Sequence, residues 1–550
     1  MIFLLLFINC INKPLTYNTR MKLKTALLIF LLPLTGMAQS VRVIPQPASI
    51  TASKGVFILK QGTPLIFKDT SLAWQAHYLE TKMLAANKIQ LHTSKTALNG
   101  IKLVLTQPND TTGSYQLLID KNNIVISSST KAGIFYGIQS LLQLAVNNVR
   151  SSVTLPALVI NDAPRYQWRG FMLDESRHFF GKQKVEMLLD WMARYKLNRL
   201  HWHLTDAQGW RIQINKYPKL TTVGAIGNFT DSTASAKFYT QDEIKEIVKY
   251  AADRFITIVP EIDMPGHATA ANKAYPEYSG GSVERYPNFT FNPAKEETYS
   301  FLTDIVKETN QLFPAHLFHL GGDEVAFGMQ AWLKNPQITT MMANKKFTTL
   351  DELQFYFFKR MADTVLKLGD KILCWDEATP ADLPANQTIV FWWRQNKPES
   401  LALALQKNYQ VVLCPRLPMY FDFVQDSIHV SGRKWGEEKL FNRFSDVYNY
   451  PDKQTDAAQI QLKNIIGIQA NLWSETVGSE KRLDYMLFPR MAALAEAAWV
   501  MPTNKNLNFF EEKLKAELLN YDKAGIYYYN PFNPAQHQEA VDYRPKETKD

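Results

Sequence analysis

The sequence predicts an α/β fold, in which a (β/α)8 TIM barrel follows a small α+β domain and precedes a short C-terminal helical extension. First, eight short apolar runs alternate with helical patterns between residues 161 and 505, as parallel strands joined by helical crossovers require. Second, acids and tryptophans follow these runs at corresponding positions. Because a barrel gathers its functional side chains at the carboxyl ends of its strands, this repetition indicates a site as well as a fold.

Residues 1–38 are interpreted as a leader. Within them, residues 21–38 contain the three parts of a secretory signal: the basic residues Lys22 and Lys24, a short apolar run from Thr25 to Leu34, and a small-residue cleavage site ending at Ala38. The apolar run is too short to cross a bilayer, and no later segment is a candidate membrane span. The sequence therefore predicts an exported product, periplasmic or secreted, with no membrane span.

The charge of the chain argues against a nucleic-acid partner. The net charge is +9, and four of these charges, from Lys13, Arg20, Lys22 and Lys24, lie in the leader. The other charges are spread without a basic run, so no nucleic-acid footprint is present. The oligomeric state does not follow from these features.

Residues 41–160 form the predicted α+β domain. They hold no cluster of acids, cysteines or histidines, so we assign them a structural role. A turn signal, Asn161–Pro164, marks the boundary with the barrel. The predicted elements are a strand at Ile101–Leu105, a hairpin of Tyr115–Ile119 and Ile124–Ser128, and a helix at Ala132–Val146.

Residues 161–505 form the predicted catalytic barrel, and residues 506–550 form a C-terminal helix and tail. The long stretch from Tyr420 to Ile465 is interpreted as a lid-like loop. The eight predicted strands are Gly170–Leu173, Leu200–Leu204, Phe255–Pro260, Leu317–Leu320, Lys371–Trp375, Thr388–Trp393, Gln410–Leu413 and Ile466–Asn471.

The fourth predicted strand leads to two adjacent carboxylates. It passes through Gly321 and Gly322 to Asp323 and Glu324. Neighbouring residues of an extended chain point to opposite sides, so we expect the two acids to perform different tasks. The alternative is the N-terminus of a helix, where acids complement the helix dipole.

The other predicted strands end on similar residues. Together these side chains predict a water-accessible, acid-rich cup with aromatic walls, which suits a neutral polyhydroxy ligand. In strand order they are Asp174–His178, Thr205–Asp206, Glu261–Asp263 with His267, Trp375–Glu377, Trp392–Arg394, Tyr420–Asp422 and Asn471–Glu475.

Three classes of protein fit such a cup: a glycoside hydrolase, a metal-dependent amidohydrolase on the same fold, and a sugar-binding barrel without catalysis. The metal hypothesis rests on His201 and His203, whose spacing puts two imidazoles on one side of a strand. Against it, the later strands offer tryptophans and acids where further ligands would be needed. We therefore predict no metal and no organic cofactor.

The strand-end residues resemble glycoside hydrolase family 20, the β-N-acetylhexosaminidases. The resemblance covers about residues 41–530 and includes the domain before the barrel. It implies an exo-acting enzyme that releases terminal, non-reducing β-linked N-acetylglucosamine from glycans or chitin fragments, with N-acetylgalactosamine as an alternative sugar. The motifs that carry it are Trp168–Phe180, His201–Arg211 (HWHLTDAQGWR), Val259–His267 (VPEIDMPGH), His319–Glu324 (HLGGDE) and Asn471–Glu475 (NLWSE).

The resemblance also implies a retaining, substrate-assisted mechanism, in which the 2-acetamido oxygen attacks the anomeric carbon and an oxazolinium intermediate forms. Glu324 matches the general acid/base, and a charge on Asp323 would favour its protonated form. Asp323 matches the carboxylate that orients the acetamido group, a task for which it must stay ionised.

Further roles are implied residue by residue. Asp206 and His267 match a relay beside the acid/base, and Tyr420 matches the hydroxyl that hydrogen-bonds the acetamido oxygen, with Asp422 close by. Arg177 and Glu475 match residues that bind sugar hydroxyls. The tryptophans that match the acetyl-group walls are Trp375, Trp393 and Trp473, with Trp392 as an alternative to Trp393 and with Trp435 on the leaving-group side.

Overall fold

The structure, a computed structural model, describes residues 41–107, 112–145, 152–456, 459 and 462–542. The predicted leader and its secretory signal lie outside these residues. Within them, no helix is both long enough and apolar enough to cross a membrane.

The first domain is a seven-stranded mixed sheet with two helices packed against it. The predicted hairpin is present, since β5 pairs antiparallel with β6. The long antiparallel pair β1–β7 was not predicted. The sheet order is β1-β7-β5-β6-β4-β2-β3. The elements are β1 (Ser49–Lys60), β2 (Pro64–Phe67), a helix at Ala73–Asn87, β3 (His92–Thr93), β4 (Gly100–Leu105), β5 (Tyr115–Ile119), β6 (Asn123–Ser128), a helix at Lys131–Ala145 and β7 (Ser152–Asp162).

Eight parallel strands then close a barrel, which confirms the predicted fold class. A two-stranded ribbon, β10 (Thr205–Asp206) and β11 (Gly209–Trp210), follows the second of them. Every barrel strand lies within two residues of its predicted bounds. The strands are β8 (Trp168–Asp174), β9 (Arg199–His203), β12 (Thr257–Glu261), β13 (Leu317–His319), β14 (Lys371–Trp375), β15 (Thr388–Trp392), β16 (Gln410–Leu413) and β17 (Ile465–Leu472).

Helices connect most successive barrel strands. Two of them begin with a capping box, at Thr240 and Thr349. Each threonine side chain accepts the backbone N–H of the third helical residue, a glutamate, and the glutamate side chain accepts the backbone N–H of the threonine. Between β14 and β15, short 3-10 turns replace a helix. The main helices are Lys182–Arg194, Gln241–Ala252, Glu296–Asn310, Pro336–Lys345, Leu350–Lys367, Pro398–Gln406, Phe444–Asn449, Glu480–Leu487, Arg490–Trp499 and Leu507–Ala524.

A buried carboxylate joins the first domain to the base of the barrel, where the strands begin. Asp162, at the end of β7, accepts hydrogen bonds from Lys196 Nζ at 3.0 Å, Tyr115 Oη at 2.7 Å and Trp499 Nε1 at 2.9 Å. The side chains of Asp162 and Lys196 are completely buried. Since a buried charge needs a partner, this pair fixes the two parts against each other.

The C-terminal helix Leu507–Ala524 is attached by charge pairs of the same kind. Glu517 accepts a bidentate pair of hydrogen bonds from Arg194, at 2.6 and 2.7 Å. Lys513 donates to Glu496 at 2.5 Å, and both side chains are almost fully buried. The predicted helical extension is therefore an integral part of the barrel.

Candidate active site

Two glycines let the chain turn sharply after β13. Gly321 and Gly322 both have positive φ angles, +66° and +96°. A Cβ on Gly321 would lie 1.9 Å from Asp263 Oδ1, and one on Gly322 would lie 2.7 Å from the Phe358 ring. Only glycine fits these close approaches. The turn delivers the two acids that follow to the mouth of the barrel.

Asp323 and Glu324 face the same imidazole. His267 Nε2 lies 3.7 Å from Asp323 Oδ2 and 3.7 Å from Glu324 Oε2. The expectation that the acids point to opposite sides was wrong, because Glu324 has a left-handed backbone (φ +51°) and is not part of an extended strand. The side chain of Glu324 is 30% exposed and that of Asp323 is 10% exposed. The difference in exposure, rather than opposite orientation, separates the two acids.

A cavity of about 900 Å³ opens at this mouth. Glu324 lines this cavity, and Asp323 lies behind it with less exposure. The predicted site residues that line it are Arg177, Asp206, His267, Glu324 and Glu475.

Asp206 and His267 form a hydrogen-bonded pair behind the acids. Asp206 Oδ1 lies 3.0 Å from His267 Nδ1, and Arg177 Nη2 lies 2.7 Å from Asp206 Oδ2. Burial opposes ionisation of Asp206, but Arg177 and His267 lower its pKa well below the usual range. Burial also opposes protonation of His267, yet Asp206 and Asp323 raise its pKa to about 9. The neighbouring carboxyl groups therefore favour the imidazolium form of His267.

The ionisation of Asp323 differs from the expectation. Burial and the neighbouring carboxyl of Asp263 raise its pKa well above the ordinary value, while His267 opposes the rise. The pKa of Asp263 is also raised, by burial and by Glu261. The three carboxyls have oxygens within 4.8 Å of one another, so they cannot all be ionised without strong repulsion. In the ligand-free chain Asp323 therefore holds a proton more readily than a free aspartate does.

The two histidines of the predicted metal motif instead surround one carboxylate. Glu261 Oε2 lies 3.1 Å from His201 Nε2 and 2.5 Å from His203 Nδ1. Glu261 Oε1 lies 3.1 Å from His319 Nδ1 and accepts the Trp375 indole N–H at 2.8 Å. His201, Glu261 and His319 are close enough to share a cation. However, two of the four contacts to Glu261, those of His203 Nδ1 and the Trp375 indole N–H, are hydrogen bonds, and they hold Glu261 as a buried carboxylate of the barrel core.

Four of the predicted aromatic residues form a wall beside the acids. The Trp473 ring lies 5.8 Å from that of Trp375 and 6.2 Å from that of Tyr420. Trp393 stacks on Tyr420 at 6.2 Å with an interplanar angle of 18°. Trp375 is fully buried, whereas the other three rings keep a small exposed edge. The structure thus brings Trp375, Trp393, Trp473 and Tyr420 together.

Trp392 and Trp435 lie apart from this wall. Trp392 donates its indole N–H to the Lys397 carbonyl at 3.4 Å, so it points away from its neighbour Trp393, which contacts Tyr420. The guanidinium of Arg416 lies 4.5 Å from the Trp393 ring and 4.8 Å from the Trp435 ring. Arg416, which was not predicted, therefore links Trp435 to the wall.

A second arginine that was not predicted, Arg433, contacts both Asp422 and Glu475, the acids expected to bind the sugar hydroxyls. Arg433 Nη2 lies 2.8 Å from Glu475 Oε1, and its Nε lies 3.2 Å from Asp422 Oδ2. Burial raises the pKa of Asp422 to about 7, although Arg433 opposes the rise. Glu475 also interacts electrostatically with Arg177. Glu475 is thus subject to two guanidinium groups, and Arg433 is the one that contacts it.

Glu377 is a further acid that was noted at a strand end but given no role. Its Oε1 accepts the backbone N–H of Glu324 at 3.3 Å, and its Oε2 accepts the indole N–H of Trp393 at 3.2 Å. Burial raises its pKa to about 7, with Arg394 opposing. Glu377 therefore ties the acid pair to the aromatic wall.

The C-terminal tail supports the loop that carries Arg433. Glu539 accepts the backbone N–H groups of Val430 at 2.7 Å and Ser431 at 3.0 Å. It also pairs with Arg482 Nη1 at 3.0 Å. The tail thus holds one wall of the cavity from outside.

The acids at the mouth of the barrel can donate a proton to a leaving oxygen and stabilise positive charge on the carbon to which that oxygen was bonded. Cleavage of a glycosidic bond requires both. Fold and site together define a glycoside hydrolase. Residues 166–502 match the model for the catalytic domain of glycosyl hydrolase family 20, and residues 40–163 match domain 2 of that family. The chain belongs to glycosyl hydrolase family 20.

Two related enzymes support the assignment to this family. The chain is 34% identical to a β-hexosaminidase of Vibrio furnissii over 83% of this chain and 76% of that one. A β-hexosaminidase of Porphyromonas gingivalis is 32% identical over 90% of this chain, which spans 65% of that relative's length.

Solved structures extend the agreement to the fold. The GH20 exo β-N-acetylglucosaminidase of Vibrio harveyi, in complex with N-acetylglucosamine, superposes with a TM-score of 0.81 at 31% identity, over 90% of this chain and 79% of that chain. The β-N-acetylhexosaminidase of Bacteroides fragilis gives a TM-score of 0.76 at 30% identity, over 88% and 96% of the two chains.

Proposed function

We propose that this chain is an exo-β-N-acetylhexosaminidase that hydrolyses terminal, non-reducing β-linked N-acetylglucosamine, with N-acetylgalactosamine as the second candidate sugar. The observation that carries the proposal is the pair of 3.7 Å distances from His267 to Asp323 and Glu324 beside the tryptophan wall. The N-acetylglucosamine bound to the Vibrio harveyi relative supports the choice of sugar.

Glu324 serves first as general acid and then as general base. Because its side chain is exposed to the cavity, it can reach both the leaving oxygen and the water that later replaces it. In the first step the proton of Glu324 moves to the glycosidic oxygen, which takes the electron pair of the breaking bond. In the second step Glu324 accepts a proton from the attacking water.

The substrate supplies the nucleophile. Its 2-acetamido oxygen bonds to the anomeric carbon, giving an oxazolinium intermediate with the configuration inverted, and water inverts it again, so the reaction is retaining. The acetamido group is tethered beside the reacting carbon, and such intramolecular nucleophiles have large effective molarities. Asp323 accepts the acetamido N–H, and Tyr420 donates its hydroxyl hydrogen to the acetamido oxygen.

Binding completes the ionisation of Asp323. In the ligand-free chain burial and Asp263 raise its pKa, but an acetamido N–H and a ring with developing positive charge both favour the carboxylate form. The imidazolium of His267, anchored by Asp206, adds to this stabilisation and balances the charge that Glu324 carries after it releases its proton.

The remaining residues hold the sugar. In this proposal Arg177 and Glu475, which line the cavity, bind the outer hydroxyls of the sugar together with Asp422. Trp375, Trp393 and Trp473 enclose the acetyl group. Trp435 stays a proposal for the leaving-group side, where it lies on the far side of Arg416.

A panel of chromogenic sugars tests the proposal. We expect turnover of N-acetylglucosaminides and far slower turnover of plain glucosides, with strong inhibition by a thiazoline mimic of the oxazolinium. A glycosyl group attached covalently to a side chain during turnover would contradict the substrate-assisted step. Loss of activity on chelation, restored by a metal, would instead support the amidohydrolase alternative, and absence of any turnover would leave a sugar-binding barrel.

Export is proposed from residues 21–38 alone. The predicted signal places the enzyme in the periplasm or outside the cell, where glycans and chitin fragments are the substrates within reach. Mass determination of the mature protein from culture fractions tests this, since cleavage near Ala38 is expected.

A further inference from the structure

Glu377 contacts the backbone of the proposed general acid, yet the proposed mechanism gives it no task. It follows β14, and its side chain is only 17% exposed. Its Oε1 accepts the backbone N–H of Glu324 at 3.3 Å, and its Oε2 accepts the indole N–H of Trp393 at 3.2 Å. One carboxyl group therefore contacts both the proton donor and the tryptophan wall.

The backbone of Glu324 has a conformation that needs support. Its φ and ψ angles are +51° and +19°, in the left-handed region that side chains with a Cβ rarely adopt. Such a conformation persists only where the surrounding structure holds it. The Glu324 carbonyl accepts the Phe327 N–H at 3.0 Å from within the same turn, whereas its N–H is held by Glu377 from a different strand end. Glu377 therefore fixes the turn that carries the acid to the neighbouring strand.

The charge of Glu377 also acts on Glu324. Arg394 Nη1 lies 3.7 Å from Glu377 Oε1, while Arg394 Nε lies 2.9 Å from Asp376 Oδ2, so two carboxyl groups share one guanidinium. Burial raises the pKa of Glu377 to about 7, Arg394 opposes the rise, and Asp376 and Glu324 add to it. Because repulsion between two carboxylates is mutual, an ionised Glu377 disfavours the ionised form of Glu324.

Cations on the other elements around Glu324 act in the opposite direction. His267 Nε2 lies 3.7 Å from Glu324 Oε2, and Arg177 also interacts electrostatically with Glu324. Both cations favour the carboxylate form, which cannot donate a proton. Asp323, on the same turn as Glu324, interacts with both Glu324 and Glu377. An anionic Glu377 therefore offsets the cations and favours the form of Glu324 that general acid catalysis needs.

We propose that Glu377 is a positioning residue for the general acid: it holds the Glu324 backbone in its left-handed conformation, and its negative charge keeps Glu324 protonated until the glycosidic oxygen takes the proton. This inference rests on the proposed function, since it needs Glu324 as the proton donor. Because Glu377 also holds the indole of Trp393, it sets the position of the donor relative to the wall that encloses the acetyl group.

Glu377→Asp tests the positioning, because it keeps the charge but withdraws the carboxyl by one methylene. Two N-acetyl-β-glucosaminides are compared: the 4-methoxyphenyl glycoside, whose leaving group needs a proton, and the 2,4-dinitrophenyl glycoside, whose leaving group departs without one. We expect kcat/KM to fall about 10–100-fold for the first, as for a misplacement of about 1 Å, and to change little for the second. Asp376→Asn is the matched control, since Asp376 is the adjacent buried carboxyl and binds the same Arg394 and the backbone N–H of Trp393. Its ratio of the two kcat/KM values should stay at the wild-type value.

Glu377→Gln tests the charge, because glutamine keeps an oxygen for the Glu324 N–H but cannot ionise. Without the negative charge Glu324 should lose its proton at lower pH, so the basic limb of kcat/KM for the 4-methoxyphenyl glycoside should move down by about one pH unit. Arg394→Gln removes the cation instead and should move the same limb upwards. Thermal midpoints measured across the pH range show whether each variant is folded.

The outcomes separate a positioning role from a merely structural one. Equal losses on both glycosides in Glu377→Asp, or the same change of ratio in Asp376→Asn, would overturn the positioning while leaving the proposed function intact. A basic limb that stays in place in Glu377→Gln would overturn the role of the charge. If that variant does not fold, the direction of the shift in Arg394→Gln decides the point. Failure of the wild-type enzyme to hydrolyse either glycoside would overturn the proposed function itself.

Discussion

The base and the mouth of the barrel both bury carboxylates, but Asp162 and Glu517 at the base are paired more completely than Asp323 and Glu475 at the mouth. At the base, Asp162 accepts hydrogen bonds from Lys196, Tyr115 and Trp499, and Glu517 is clamped by Arg194. At the mouth, Asp323 Oδ1 and Glu475 Oε2 are buried without a hydrogen-bond partner among the described residues. An unsatisfied buried polar atom costs about 1–3 kcal/mol. These two oxygens therefore cost stability that the paired carboxylates at the base do not.

This difference predicts which substitutions should change stability and which should change turnover. Removing a base carboxylate leaves a buried cation unpaired and should lower the free energy of unfolding without changing the chemistry. Removing a mouth carboxylate relieves repulsion among acids and should change turnover without lowering stability. The five substitutions below, from the largest expected effect to the smallest, break or sharpen this contrast.

Glu324→Gln should have the largest effect. We expect kcat for a chromogenic N-acetylglucosaminide to fall by about 10²–10⁴-fold, the usual contribution of a general acid/base, because glutamine cannot supply a proton. Calorimetry should show an unchanged or higher thermal midpoint. Near-normal turnover would remove Glu324 from the role.

Asp323→Asn should cost about 10²–10³-fold in kcat, comparable to the loss of one preorganised electrostatic group. The loss should be confined to 2-acetamido substrates, since Asp323 is proposed to act through the acetamido group. Any residual hydrolysis of a plain glucoside is the control. Equal loss on both sugars would contradict the substrate-assisted mechanism.

Asp162→Ala should act at the base instead. We expect the free energy of unfolding in denaturant to fall by about 3–5 kcal/mol, because Lys196 would be left buried and unpaired. The kcat of the folded fraction should match that of the wild type. A loss of kcat without a loss of stability would show that the two ends are not separate.

Arg433→Met should shift the pH profile. Burial raises the pKa of Asp422 to about 7 and Arg433 opposes the rise, so removing the guanidinium should raise the pKa further. The carboxylate form of Asp422 is proposed to accept hydrogen bonds from sugar hydroxyls, so protonation of Asp422 lowers activity as the pH falls. In the variant this loss should begin at a higher pH than in the wild type. We expect the acidic limb of kcat/KM to move up by about one pH unit, with Arg433→Lys close to wild type. A limb that does not move would exclude Asp422 from the profile.

Trp393→Phe should have the smallest effect, a rise in KM of about three- to tenfold from lost ring contact. Trp392→Phe is the matched control, since that indole points to Lys397 and not to Tyr420. Equal effects would reopen the choice between the two tryptophans for the pocket.

The barrel was predictable because its strands are short apolar runs between turns, and each strand was located within two residues. The first sheet was predicted only in part. Val56 and Ile58 in β1 are about half exposed, so this strand shows no clean alternation of apolar and polar residues. Its pairing with β7, far along the chain, supplies the order that the local sequence does not.

The candidate site was predictable where residues follow strands directly, as Asp323, Glu324 and His267 do. Arg433 was not, because it lies in a long loop and approaches Asp422 and Glu475 only after folding. The raised pKa of Asp323 was also missed, since it depends on Asp263 from another strand. Local sequence places side chains at the mouth, but their charge states arise from neighbours that the fold assembles.

The hold of Glu539 on the loop before Arg433 has a practical consequence. The stretch around Glu539 acts as a brace for the sugar-side wall, far in sequence from the acids that perform the chemistry. A shortened enzyme lacking this brace would still cut the bond but would let go of its sugar more readily, so expression designs should leave that end of the chain whole.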